Sequence, residues 1–322
     1  MPDHDRIPEL ALEWHREGRG AVIATVIQTW GSAPRGIGSQ LVVSGNGEIE
    51  GSVSGGCVEG AVIVEAQEAL VDGTKRELEF GVSDGDAFTV GLACGGTIRV
   101  LVEPVGSVIS EAQLEELCAL RAARTPVALV SNLDTGERRL ELEGHDERFR
   151  LDKSGFAEDG RTFVAIHNPP LRLLIVGAVH IAQALVPMAR IAGFDPLVID
   201  PRETFGAISR FPGETVVNDW PDEVIDEVGI DARTAVVLLS HDPKLDDPAL
   251  IRALKSECYY IGALGSRRTQ GLRRERMAEA GFTDDEIARI HGPVGLSIGS
   301  MGPAEIAVSI LSEMIAVLRK AV

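Results

Sequence analysis

The chain has 322 residues, 44% of them apolar and 25% charged, with a formal net charge of −18. That length accommodates two ordinary domains, and the apolar and charged fractions are those of a globular protein. The acidic balance opposes general binding to nucleic acid or to anionic membrane surfaces, both of which require basic patches. No run approaches the length of a membrane span. Aromatic residues make up only 4%, so the cores are expected to be aliphatic.

Residues 7–17 read as a short amphipathic helix with Leu10 and Trp14 on one face. A strand over 21–29 follows, then a loop rich in Gly, Ser and Pro over 30–40, then a strand over 41–44 and a GNG turn that suits a hairpin. The next stretch, GSVSGGCVEG over 51–60, places Cys57 behind Gly55 and Gly56 and ahead of a helix-like run over 58–70. Two readings stand for it. The glycines let amide N–H groups converge on one point, and a helix starting near Cys57 would favour its thiolate, which suits sulfur chemistry or an anionic ligand. Alternatively, this is a tight strand-to-helix turn whose small Cys is simply packed. Arg35, between Pro34 and Gly36 in the preceding loop, is a solvated side chain or, beside such a thiol, an anion or phosphate clamp. The clamp requires the two loops to be neighbours, as sequential elements usually are.

A strand over 75–80 leads to GLACGG, 91–96, where Cys94 precedes Gly95 and Gly96 in mirror order to the first turn. It is a second glycine turn with a packed Cys, or it faces a cleft in common with Cys57; a disulfide between the two is a third option that geometry must decide. A strand over 97–103 and an acidic helix over 111–123 follow, the latter with Cys118 among leucines as core. A strand over 126–132, a charged hairpin region over 135–150 and a strand over 163–167 complete the first half. The four cysteines, with Cys258, are widely separated and show no zinc-ligand spacing. The N-terminus has neither the basic start nor the apolar core of a signal peptide, so free thiols in a reducing, cytoplasmic compartment are expected.

HNPP, 167–170, breaks any element, and the domain boundary is placed there: an N-terminal α+β domain over 1–168 and a C-terminal domain over 169–322. An apolar strand over 171–176, interrupted only by Arg172, then Gly177, a helix over 181–191 and a strand over 196–199 ending in Asp200 form a βαβ-sized unit. Further apolar strands over 215–218, 235–240 and 259–262 alternate with helical segments, which predicts a Rossmann-like, doubly wound α/β fold with a parallel sheet. The dinucleotide fingerprint is imperfect: Gly177 is present, Val179 stands where the middle glycine belongs, and Asp200 lies where a ribose-binding acid is expected. A nucleotide there is therefore doubtful, and His180 is a ligand contact or an exposed helix-start residue. Gly265 and Ser266 open a helix whose first turn carries Arg267 and Arg268, a candidate anion site. Arg273, Arg274 and Arg276 read as an exposed basic face. In the C-terminal helix over 303–320, Glu305 and Glu313 are surface charges or point at the Gly- and Pro-rich loop over 291–302.

GSAPRGIGSQ, GSVSGGCVEG, GLACGG, GAVHIAQAL, VIDPRETF, LSHDPKLD, YIGALGSRR and HGPVGLSIGS, in this order, resemble the XdhC/CoxI family. The resemblance covers nearly the whole chain and is weakest over 105–161. It implies a chaperone that binds the molybdenum cofactor, protects it during sulfuration by a cysteine desulfurase, and helps insert it into a xanthine dehydrogenase-type hydroxylase. Cys57 is then the first candidate for cofactor contact, as a soft molybdenum ligand or persulfide carrier, and Cys94 the second. Ser54, Gly55, Gly56, Glu59, Arg35 and Gly95 complete the candidate set of the first half. Gly177, His180, Asp200, Gly265, Ser266 and Arg268 form that of the second, with the site expected between the domains. An NAD(P)- or flavin-linked oxidoreductase is the alternative. A homodimer through Ile306, Ile310 and Ile315 is a further expectation, although these residues could equally pack inside the domain.

Overall fold

The structure, a computed structural model, describes residues 6–81 and 96–320, and they divide into two units after Pro169. The first unit runs α1 (Ile7–Arg16), β1 (Ala21–Trp30), β2 (Gln40–Ser44), β3 (Ile49–Gly51), α2 (Glu59–Asp72), β4 (Arg76–Phe80) and β5 (Thr97–Pro104). It continues with α3 (Glu111–Ala122), β6 (Val127–Asn132), β7 (Arg138–Glu141), α4 (Asp146–Leu151), β8 (Gly155–Phe156) and β9 (Thr162–His167). Two antiparallel sheets result, of order β3-β2-β1-β5-β4 and β7-β6-β9-β8.

β1 is apolar on both faces because both are covered. Val22, Ala24 and Val26 pack with Val62, Ala66 and Ala69 of α2, while Ala21 and Ile23 pack with Ala11 of α1 and Leu114 of α3. α2 ends where Gly73 takes a left-handed conformation, φ 70°, and returns its amide to the Ala69 carbonyl at 2.9 Å. Cys118 is packed in α3 as expected, and burial pushes its thiol up to about 12. The region expected as a hairpin supplies β7, which pairs antiparallel with β6 across the turn 133–137, and then the helix α4. Asp146 and Glu147 in the first turn of α4 and Arg148 and Arg150 in the last suit the helix dipole. His167 is buried; burial pushes it down to about 3, and among the described residues its Nε2 has no hydrogen-bond partner.

The second unit runs β10 (Leu171–Val176), α5 (His180–Ile191), β11 (Phe194–Ile199), β12 (Thr215–Val217), α6 (Pro221–Val228), β13 (Thr234–Leu238) and α7 (Pro243–Leu254). β14 (Tyr260–Ala263), α8 (Arg267–Glu279), α9 (Asp284–Ala288), β15 (Ile290–His291) and α10 (Pro303–Leu318) complete it. The six strands are parallel, in the order β12-β11-β10-β13-β14-β15. This is the doubly wound sheet the alternating pattern predicts, with its order reversing between β10 and β13. One face packs on α5 and α10, the other on α6 and α7, so β10 and β13 are apolar on both faces apart from Arg172 and Thr234 near their starts. α10 buries Ala307, Ile310 and Met314 beside Leu185 and Ala189 of α5, which uses its apolar stripe within its own unit; Ile315 is 39% exposed.

Candidate functional site

Between β3 and α2 the chain makes the turn 52–58. Gly51, at φ 86°, admits the close approach of β2, since a Cβ there would lie 2.4 Å from the Gln40 carbonyl oxygen. Gly55 and Gly56 take φ 76° and 113°, so their amides turn inward with their neighbours. The acceptor at the focus belongs to the chain itself. Glu59 Oε1 accepts from Ser52 Oγ (2.7 Å), Val53 N (3.2 Å) and Ser54 N (2.9 Å). Its Oε2 accepts from Ser54 Oγ and from Gly56 N (2.9 Å). Ser52 Oγ in turn accepts from Gly55 N (2.8 Å), and Ser54 Oγ from Val58 N (2.9 Å). Burial raises the Glu59 carboxyl, but the hydrogen bonds from Ser54, Ser52 and the backbone outweigh it and hold it at about 2.

This corrects the expected role of the turn. The convergent amides of Val53, Ser54 and Gly56 are already filled by a carboxylate, and the helix begins at Glu59, two residues after Cys57. Cys57 is half-buried, and its thiol is free. The loop 30–39 is its neighbour, as the clamp reading requires. A Cβ on Gly55 would lie 3.5 Å from Pro34 Cβ, and Ala33 packs in the same apolar cluster as Cys57. Among the described residues the Arg35 guanidinium makes no hydrogen bond or ion pair, and its Nε is buried. Gly96 abuts the same loop; a Cβ there would lie 2.3 Å from the Ser32 carbonyl oxygen. Cys94 and Gly95 lie outside the described residues.

At the carboxyl ends of the parallel strands, Gly177 has φ 105°, and a Cβ on it would lie 2.8 Å from Ser240 N, so glycine is required by the neighbouring strand. Asp200 is 1% exposed. Its Oδ2 accepts from Ala178 N (2.8 Å) and Arg202 Nη2 (2.7 Å), and its Oδ1 from Arg202 N (3.0 Å) and Nε (2.8 Å). Four donors occupy the four acceptor positions of a carboxylate, leaving none for a ribose hydroxyl. Burial raises this carboxyl, and the Arg202 and backbone hydrogen bonds bring it below its usual value. The turn amide and the acid expected to share a dinucleotide therefore bind each other. Val179 packs partly on the core, and His180 is exposed.

The motifs SHDPKLD and GALGSRRT meet at a buried cluster. Ser240 Oγ donates to Asp246 Oδ1 (2.6 Å), and Arg273 Nη2 to Asp246 Oδ2 (3.2 Å). Arg273 Nη1 donates to Gln270 Oε1 (2.6 Å), and Gln270 Nε2 to the Ala263 carbonyl (2.8 Å). Arg273 is 2% exposed, contrary to its reading as a solvated residue, because α8 turns that face toward Asp246 on α7. Burial pushes Asp246 up and Arg273 down. Arg276 pairs with Asp247, and Arg274 is exposed as expected. Ser266 caps α8 by accepting from Thr269 N (3.2 Å), next to Gly265 at φ 139°, and Arg267 and Arg268 face solvent. Glu313 points at the loop: it accepts from Gly295 N (2.8 Å) and Tyr260 Oη, with His291 stacked on Tyr260. Glu305 caps its own helix, accepting from Met301 N (2.6 Å). Among the described residues no group of three or more His, Cys, Asp or Glu could hold a metal ion.

These features define a two-domain protein: an α+β unit presenting a thiol on a carboxylate-locked turn, and a Rossmann-type α/β unit. The chain belongs to the XdhC and CoxI family. The family model described as "XdhC and CoxI family" matches residues 14–81, and the one described as "XdhC Rossmann domain" matches 173–314. The molybdenum cofactor insertion chaperone PaoD of Escherichia coli is 31% identical over 98% of this chain and 89% of its own length. A protein of Bacillus subtilis described as a probable xanthine dehydrogenase subunit is 26% identical over 92% of each chain. A solved structure described as a xanthine dehydrogenase from Bacillus halodurans superposes with a TM-score of 0.77 at 28% identity, covering 99% of this chain and 96% of the other. No helix among the described residues is long and apolar enough to cross a membrane.

Proposed function

We propose that this chain is a molybdenum-cofactor chaperone that carries the cofactor as cargo to a xanthine dehydrogenase-type hydroxylase. The observation that carries the reading is that two neighbouring loops each carry a group with no partner among the described residues. The free thiol of Cys57 sits on a fixed turn, and the Arg35 guanidinium lies on the loop packed against that turn. A thiolate is a soft ligand suited to the metal, and a guanidinium suits the phosphate of the pterin. The Gly55–Gly56 amides are not assigned to the phosphate, because Glu59 and Ser52 occupy them. The name of the 31%-identical relative supports the same cargo. Sulfuration of the held cofactor by a cysteine desulfurase, a homodimer and a cytoplasmic location belong to the proposal as its finer parts.

The test is anaerobic binding of molybdenum cofactor by the purified chain and by Cys57→Ala and Arg35→Ala. Wild type should retain cofactor through gel filtration, and each variant should lose at least tenfold in retention while keeping its circular dichroism. Equal retention by folded Cys57→Ala would remove the thiol from the mechanism.

A further inference from the structure

We infer that Glu59 is a positioning residue for Cys57: its carboxylate is an internal anchor that holds the turn 52–58 in the one conformation that presents the thiol. This replaces its reading as a cofactor contact and rests on the proposed function only where cargo is concerned. The turn carries two glycines at positive φ, a composition that leaves an unanchored backbone with many conformations. Five donors from Ser52, Val53, Ser54 and Gly56 converge on the single carboxylate. Gly56 precedes Cys57 and donates directly to Glu59, and Val58 follows Cys57 and donates to Ser54 Oγ, which itself donates to Glu59. Both flanks of the thiol are thus tied to one side chain. Without that acceptor the buried amides of Val53 and Ser54 would be left unpaired, a state that folded chains avoid. The turn would then reorganise, and Cys57 with it.

The test uses the full chain and three readouts: peptide-resolved alkylation of Cys57 by iodoacetamide, amide exchange over 51–60, and cofactor retention. In Glu59→Gln the side-chain NH₂ would face Gly56 N, donor against donor. Cys57 should alkylate at least threefold faster and the turn amides should lose protection, while buried Cys258 stays unreactive. In Glu59→Ala the emptied nest should accept added formate, and formate at high millimolar concentration should restore slow alkylation; a purely structural defect would not respond. Cofactor retention should fall at least tenfold in both variants. Wild-type alkylation and exchange in Glu59→Gln would overturn the inference. So would a Glu59→Ala protein indifferent to formate. Should both variants fail to fold, Ser52→Ala, which removes one of the five donors, is read in the same way: intermediate acceleration supports the anchor and wild-type rates overturn it. If wild type retains no cofactor but Glu59→Gln loosens Cys57, the cargo reading fails and the anchor stands.

Discussion

Replacing Asp246 by Asn tests the buried cluster of the second unit most directly. Asp246 and Arg273 are 1% and 2% exposed, and their ion pair spans 3.2 Å. Asn keeps an acceptor for Ser240 Oγ but turns an NH₂ group toward the guanidinium. Arginine does not deprotonate in proteins, so Arg273 would remain as a buried charge without its counter-ion. Breaking a buried pair from one side costs about 3–5 kcal/mol. Arg273 keeps its hydrogen bonds to Gln270 Oε1 and the Leu264 carbonyl, which places the expectation at the lower end, about 3 kcal/mol. For a unit of this size that is a fall of roughly 6–12 °C in Tm. Because two units need not unfold together, the assay is hydrogen exchange read peptide by peptide across a urea series. Peptides of the second unit should lose about 3 kcal/mol of protection, those of the first should not change, and Asp246→Asn with Arg273→Met should recover part of the loss. A change below about 1 kcal/mol in Asp246→Asn would refute the reasoning, because it would show that no uncompensated charge is created.

The first unit should lose stability in two acid steps. His167 is held at about 3 against an ordinary 6.5, so the unfolded chain binds its proton first and stability falls as pH drops below 6.5, by about 2 kcal/mol between pH 7 and 5. His167→Leu should remove this step, as a pH series of thermal melts would show. Glu59, held at about 2 against 4.5, contributes at most about 3 kcal/mol that is fully present above pH 4.5 and lost as pH falls through 2; Glu59→Gln should remove that second step. Gly177→Ala places a Cβ 2.8 Å from Ser240 N at φ 105° and should lower the Tm of the second unit by several degrees, measurable by calorimetry.

Local pattern alone determined the alternating strands and helices of the second half, its parallel sheet, the glycine turn before Cys57, the packed Cys118 and the proximity of the 30–40 loop to that turn. Each follows from periodicity, from the backbone freedom of one residue type, or from the tendency of sequential elements to be neighbours, all of which act over short stretches of chain. The Glu59 anchor is local in sequence, three residues after Gly56, but Glu59 opens α2 and does not stand at the N3 position of a capping box. What the sequence could not show is which groups satisfy which. Gly55 and Gly56 predict convergent amides but not that Glu59 fills them. Asp200 has the position of a ribose-binding acid, yet Arg202 and Ala178 take all four of its acceptor positions. Arg273 sits in a basic run, and only the packing of α8 near α7 turns it inward onto Asp246. Burying a charge or an amide is tolerable only when a partner is within hydrogen-bond reach. For Arg273 that partner lies 27 residues away in sequence and is brought within 3.2 Å by the tertiary structure alone.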